Sequence, residues 1–175
     1  MEKVDNVIEL VAEPLTKESF APYGKAILHP RSMGEPTKSA DHWECWVYMG
    51  DMTPGTASLG IVTTRWTDKP IYVMEAHSVR EVLMPLDKPL IQVVAEPCDI
   101  ADIGARPDIS TAKAFILEPG QAIVMEVGTW HYAAVPFEGE AVYYFLANRE
   151  STDPGGTPNR WIEFENNKAF VIRKD

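Results

Sequence analysis

From Trp43 onward the hydrophobic positions fall in short runs separated by turn residues, at a spacing of roughly ten residues. The runs are residues 45–49, 59–65, 71–77, 81–84, 90–96, 112–118, 121–127, 130–136 and 141–148. Such spacing predicts antiparallel strands of a sandwich or barrel. Glu118-Pro119-Gly120-Gln121 predicts a type II turn, with Pro at the second position and Gly at the third, where φ must be positive. Phe137-Glu138-Gly139-Glu140 predicts a hairpin loop. Upstream, residues 7–12 alternate as an edge strand does, and Thr16 is placed to cap a short helix over residues 17–20 that Pro22 and Gly24 would end. Residues 29–41 are polar and carry Pro30, Gly34 and Pro36, a composition that fits a loop over the surface or the mouth of a site. Asp153-Pro154-Gly155-Gly156 breaks the pattern, and residues 161–172 read as one more strand or a tail packed across the barrel. The expectation is an all-β, barrel-like single domain over residues 1–175 with a short N-terminal helix.

Composition refines that picture only at its margins. A chain of 175 residues, 45% hydrophobic and 24% charged, is long enough for one domain with a real core. No apolar run approaches the ~20 residues that span a bilayer, and the N-terminus lacks the basic-then-apolar layout of a signal peptide, so a cytoplasmic protein with no membrane partner is expected. A net charge of −10, from 16 basic and 26 acidic residues, argues against nucleic acid. Cys45 and Cys98 share no C-x-x-C spacing and read as two reduced thiols.

Candidate chemistry concentrates in two stretches. In E-A-H-S-V-R-E, Glu75 and His77 are two apart and project to one face of a strand, and Glu81 shares their parity. A straight strand would carry Glu81 about 13 Å beyond His77, too far for one ion with ~2 Å ligand bonds, so the chain must bend near residues 78–80. In the second stretch, residues 120–131, an apolar strand is followed by a turn at Val127-Gly128-Thr129 and then His131, the natural fourth ligand. Two imidazoles and two carboxylates make a mixed shell suited to a divalent ion such as Mn, Fe, Ni, Co or Zn. His29 and His42 read as surface or mouth residues, and Trp130 and Phe145 as wall and core.

The two stretches resemble the two motifs of the cupin family, G-x5-H-x-H-x(3,4)-E-x6-G and G-x5-P-x-G-x2-H-x3-N. Here Glu75 stands where the first His is expected, Lys88 for Gly, Glu126 for Pro and Val135 for Asn, with spacing kept at every step. The resemblance implies a cupin jelly-roll, a double-stranded β-helix. Longer segments, L-T-K-E-S-F-A-P-Y-G-K-A-I (15–27), H-S-V-R-E-V-L-M-P-L (77–86), R-P-D-I-S-T-A-K-A-F (106–115) and G-T-W-H-Y-A-A-V (128–135), are similar to the ureidoglycolate lyase family. That resemblance implies cleavage of ureidoglycolate to glyoxylate and urea in allantoin breakdown, by a homodimer. The family usually has Gln near the position of Glu81, and often a second His where this chain has Tyr132.

A 2-hydroxy acid substrate needs a cation for its carboxylate. Arg65 is the first choice, because its fork matches a carboxylate, and Lys113 the second. Glu126, Tyr132 and Tyr144 are the candidate proton carriers. Two other readings remain open from sequence: a different cupin isomerase or decarboxylase acting on a sugar, hydroxy or keto acid, and a ligand-binding cupin without turnover.

Overall fold

In the computed structural model, which describes residues 6–29, 32, 34–40, 43–45, 57–148 and 161–173, the alternating runs form two curled sheets that face each other. In chain order the strands are β1 (Asn6–Pro14), β2 (Gly24–Ile27), β3 (Lys38–Ala40), β4 (Trp43–Cys45), β5 (Ala57–Arg65), β6 (Val73–Met74), β7 (Glu81–Pro85) and β8 (Leu90–Ala95). They continue with β9 (Lys113–Leu117), β10 (Ala122–Met125), β11 (Trp130–His131), β12 (Val135–Pro136), β13 (Glu140–Asn148), β14 (Ile162–Glu163) and β15 (Lys168–Arg173). One helix, α1 (Lys17–Phe20), lies between β1 and β2; the Thr16 hydroxyl accepts from the Ser19 amide at 3.0 Å, as its capping position predicts. Strand at 51% and helix at 8% make the fold all-β, as expected.

One sheet runs β11-β8-β9-β1-β15, with β12 also paired to β8; the other runs β2-β10-β7-β13-β5. Between them sits the barrel interior, where Leu90, Val94, Phe115 and Leu117 of the first sheet meet Leu83, Ile123, Met125 and Tyr143 of the second. The first sheet is apolar on its other face too. There Ile91, Val93 and Ala95 cluster with Met74, Phe164, Phe170 and Trp130 in a second core, which the separate β6–β14 pair covers. The 161–172 tail thus provides both strands and cover. Residues 7–12, expected at an edge, are instead internal: β1 pairs in parallel with β15 over Asn6 to Val11 and with β9 over Ala12 to Pro14. Gln121 donates its amide to the Glu118 carbonyl at 2.9 Å with Gly120 at φ 89°, the predicted type II turn. His42, most of the 45–49 run and the 153–156 break lie outside the described residues.

Candidate metal centre

The bend that the spacing demanded is present. After β6 the chain is bridged at Glu75 to His131, each amide donating to the other's carbonyl at 2.9 Å, and it turns through Ser78 and Val79 before β7 begins at Glu81. Residues opposite one another in such a pair project to the same side, so Glu75 and His131 share a face. The alternating neighbours Met74, Ala76 and Trp130 go the other way, into the second core. His77 and His131 are buried, with ring centroids 4.9 Å apart.

Glu75 Oε2 lies 3.9 Å from His77 Nε2, and Glu75 Oε1 lies 3.8 Å from His131 Nε2. Donors sharing one ion through bonds of ~2.1 Å can be no more than ~4.2 Å apart, so both separations fit. Among the described residues these three offer donor atoms that all lie within 4.8 Å of one another. Glu81 is not part of that group; its Oε2 lies 3.2 Å from His77 Nε2. The sequence gathers four ligands at one point, whereas the structure gathers three and sets the fourth carboxylate against one imidazole.

Each titratable member is shifted by its surroundings. Burial pushes the Glu75 carboxyl up to about 7, with His77 opposing and Glu81 reinforcing. Burial also works to raise Glu81, but the His77 hydrogen bond and the charges of His131 and His77 outweigh it and hold the carboxyl below its ordinary range. Burial lowers His131 despite the nearby Glu81. The His131 Nδ1 lies 2.9 Å from the Thr129 carbonyl, which can only accept. Nδ1 therefore carries the proton and Nε2 presents its lone pair toward Glu75, the tautomer a metal ligand needs. Donor chemistry, the two Glu75–imidazole separations and the His131 tautomer fit a divalent cation, whereas at His77 the ligating nitrogen is the one hydrogen-bonded to Glu81 in the metal-free site and must give up that proton to bind.

The other candidates are moved by strand parity. Tyr132 faces the second core, edge-on to Trp161 and Phe170. Glu126, just past the end of β10, accepts from Arg80 Nε at 2.6 Å. Tyr144 is on the outer phase of β13, opposite Ile61 and Met84. Arg65 also points outward: its side chain is 77% exposed and pairs with Glu140 at 2.6 Å. The structure does not bring these four together with Glu75, His77 and His131. Lys113 shares the row of His131, since both stand opposite Val94, and pairs with Glu13 at 3.7 Å at the rim.

Two further side chains face the interior. Tyr143, the neighbour of the expected Tyr144, is buried there, and burial and then the charges of Glu81 and Glu75 raise its phenol, while the Ala134 backbone opposes. Its hydroxyl stays protonated. Gln92 is fully buried opposite a bulge, where five residues from His131 to Val135 face four on β8, from Val94 to Ile91. Its Nε2 donates to the Tyr132 carbonyl at 2.6 Å and the Val93 carbonyl at 3.0 Å, bracing the bulge that follows His131. A lone Gln in the apolar run L-I-Q-V-V-A was the available sequence signal for it.

The family model for ureidoglycolate lyase matches residues 7–163. The chain belongs to the ureidoglycolate lyase family. It is 28% identical over 163 residues to ureidoglycolate lyase of Chelativorans sp. (strain BNC1), covering 89% of this chain and 91% of that one. It is also 28% identical over 172 residues to ureidoglycolate lyase 1 of Rhizobium meliloti (strain 1021), at 93% and 92% coverage. Among solved structures, RmlC from Streptococcus suis in complex with dTDP-D-xylose matches at 10% identity with a TM-score of 0.39, over 66% of this chain and 61% of that one.

Proposed function

We propose that this chain is a metal-dependent lyase that cleaves ureidoglycolate to glyoxylate and urea, with Glu75, His77 and His131 as the ligands of one divalent cation. The observation that carries the reading is the meeting of those three side chains inside the barrel of a ureidoglycolate lyase family member. When bound, a divalent cation there supplies Lewis acidity toward the carboxylate and hydroxyl oxygens of a 2-hydroxy acid.

The reaction needs no water. The substrate O–H proton leaves, the carbonyl forms, the C–N bond breaks, and the urea nitrogen takes up a proton. Glu81, beside His77 and with its carboxyl held below the ordinary range, is the base that receives the hydroxyl proton and returns it to the departing nitrogen. Tyr143, kept neutral by burial, donates a hydrogen bond to the substrate from the floor of the interior. Lys113, at the rim in the row of His131, holds the distal carboxylate oxygen. Buried walls around Leu83, Ile123 and Val94 exclude water.

The family's homodimer and a cytoplasmic location belong to the same reading. Among the described residues no helix is long and apolar enough to cross a membrane. A second copy of the chain is the occupant proposed for the outer face of the five-stranded sheet. There Leu59 and Leu146 stand opposite one another in one cross-strand row and Ile61, Tyr144 and Met84 in another, with Leu59 66% and Ile61 61% exposed.

Glu81, where the family usually has Gln, favours one second reading: a cupin isomerase or decarboxylase of another hydroxy, keto or sugar acid, using the same ligands. Urea release from racemic ureidoglycolate separates the two. Stoichiometric urea and glyoxylate from half of the racemate supports the lyase; no urea, with turnover of a different acid in a panel, supports the second.

A further inference from the structure

The segments that carry the family resemblance without supplying a ligand converge on one residue. Tyr23, of the 15–27 stretch, is 3% exposed, and its hydroxyl donates to the Thr111 carbonyl at 3.0 Å, in the 106–115 stretch. Its own carbonyl accepts twice, from the Glu126 amide at 2.9 Å and from the Thr129 hydroxyl at 3.0 Å. Thr129, 1% exposed, is the residue whose carbonyl meets His131 Nδ1 at 2.9 Å. Its amide is held as well, donating to the Glu126 carbonyl at 3.1 Å. An imidazole has two neutral tautomers close in energy, and the partner of one nitrogen decides which is populated.

We infer that Thr129 is a positioning residue: its hydroxyl, latched to the Tyr23 carbonyl, keeps its own carbonyl on His131 Nδ1 and so selects the tautomer that turns the Nε2 lone pair toward Glu75. The three stretches therefore act as one relay, from Thr111 through Tyr23 and Thr129 to His131. Thr129 does not touch the reacting atoms. Its importance rests on the reading of His131 as a ligand, but the tautomer is a property of the metal-free protein and is measured without any cation.

The test uses the full-length, metal-stripped protein and nitrogen-15 imidazole spectra. Wild type shows His131 protonated at Nδ1; protonation at Nε2 in wild type overturns the inference before any variant is made. Thr129→Val keeps the shape and loses the hydroxyl, and a mixture of tautomers is expected; Thr129→Ser restores the hydroxyl and the wild-type pattern. Titration with Mn²⁺ should then weaken on the order of tenfold in Thr129→Val and recover in Thr129→Ser. An unshifted tautomer with unchanged Mn²⁺ affinity in folded Thr129→Val overturns the inference. A shifted tautomer in a protein whose wild type binds no Mn²⁺ upholds the latch and defeats the metal reading instead.

Discussion

Glu75 is the residue on which burial leaves the clearest thermodynamic mark. Its carboxyl titrates near 7 in the folded, metal-free chain against 4.5 as a free side chain. A carboxyl raised on folding adds stability below its unfolded pKa and loses it as pH climbs through the folded value. Metal-stripped wild type should therefore lose up to about 3 kcal/mol more than Glu75→Gln between pH 5 and pH 8. Denaturant melts across that window check this, and parallel curves for the two proteins would refute it. Tyr143 carries the second prediction at this scale: Tyr143→Phe should fold normally and lose turnover by about 10²-fold or more, while Tyr144→Phe stays near wild type. Sequence could not separate those neighbours. In A-V-Y-Y-F-L-A both phases are apolar, since Ala141 and Tyr143 face the interior and Tyr144 and Leu146 lie on a second apolar surface, so the alternation that reveals a face is erased. His77 and His131 were legible because imidazoles within apolar runs stand out, His77 two residues from Glu75 on one strand face and His131 just after the turn at Gly128.

The turn between β10 and β11 is the element that delivers His131. Gly128 sits at φ 79°, its amide donating to the His77 carbonyl at 2.9 Å and its carbonyl accepting from the Cys98 amide at 3.1 Å. A Cβ there would lie 2.2 Å from the Cys98 carbonyl oxygen. Gly128→Ala should cost at least about 2 kcal/mol and drag both histidines out of register, lowering Tm and metal affinity together. An unchanged melting curve would show that the turn is not so constrained. Local chemistry of this kind was readable: the Thr16 cap and the type II turn at Gly120 each depend on a few adjacent residues. The parallel pairing of β1 with β15 was not, because a strand's period states which residues share a face and says nothing of which distant strand lies beside it. The same gap misplaced Arg65. Its fork suits a carboxylate, yet it shares the outward phase of Leu59 and Ile61 on β5.

At the scale of the whole molecule, the first sheet is sandwiched between two apolar cores, whereas the second has the interior on one face and the Leu59–Ile61 surface on the other. Burying that surface against a second copy removes two exposed aliphatic side chains per chain from water, and a charge in the middle of such a contact is strongly unfavourable. On the proposed dimer, wild type should scatter as two chains and Ile61→Lys as one folded chain; a monomeric wild type would refute the dimer, and a persistent dimer in Ile61→Lys would place the contact elsewhere. Whatever the assembly, the account depends on a cation held by Glu75, His77 and His131. Elemental analysis of protein purified without added metal, beside His77→Ala and His131→Ala prepared in parallel, is the most direct test. The account predicts close to one divalent ion per chain in wild type and its loss in both variants. Metal content that is unchanged in both folded variants would contradict it.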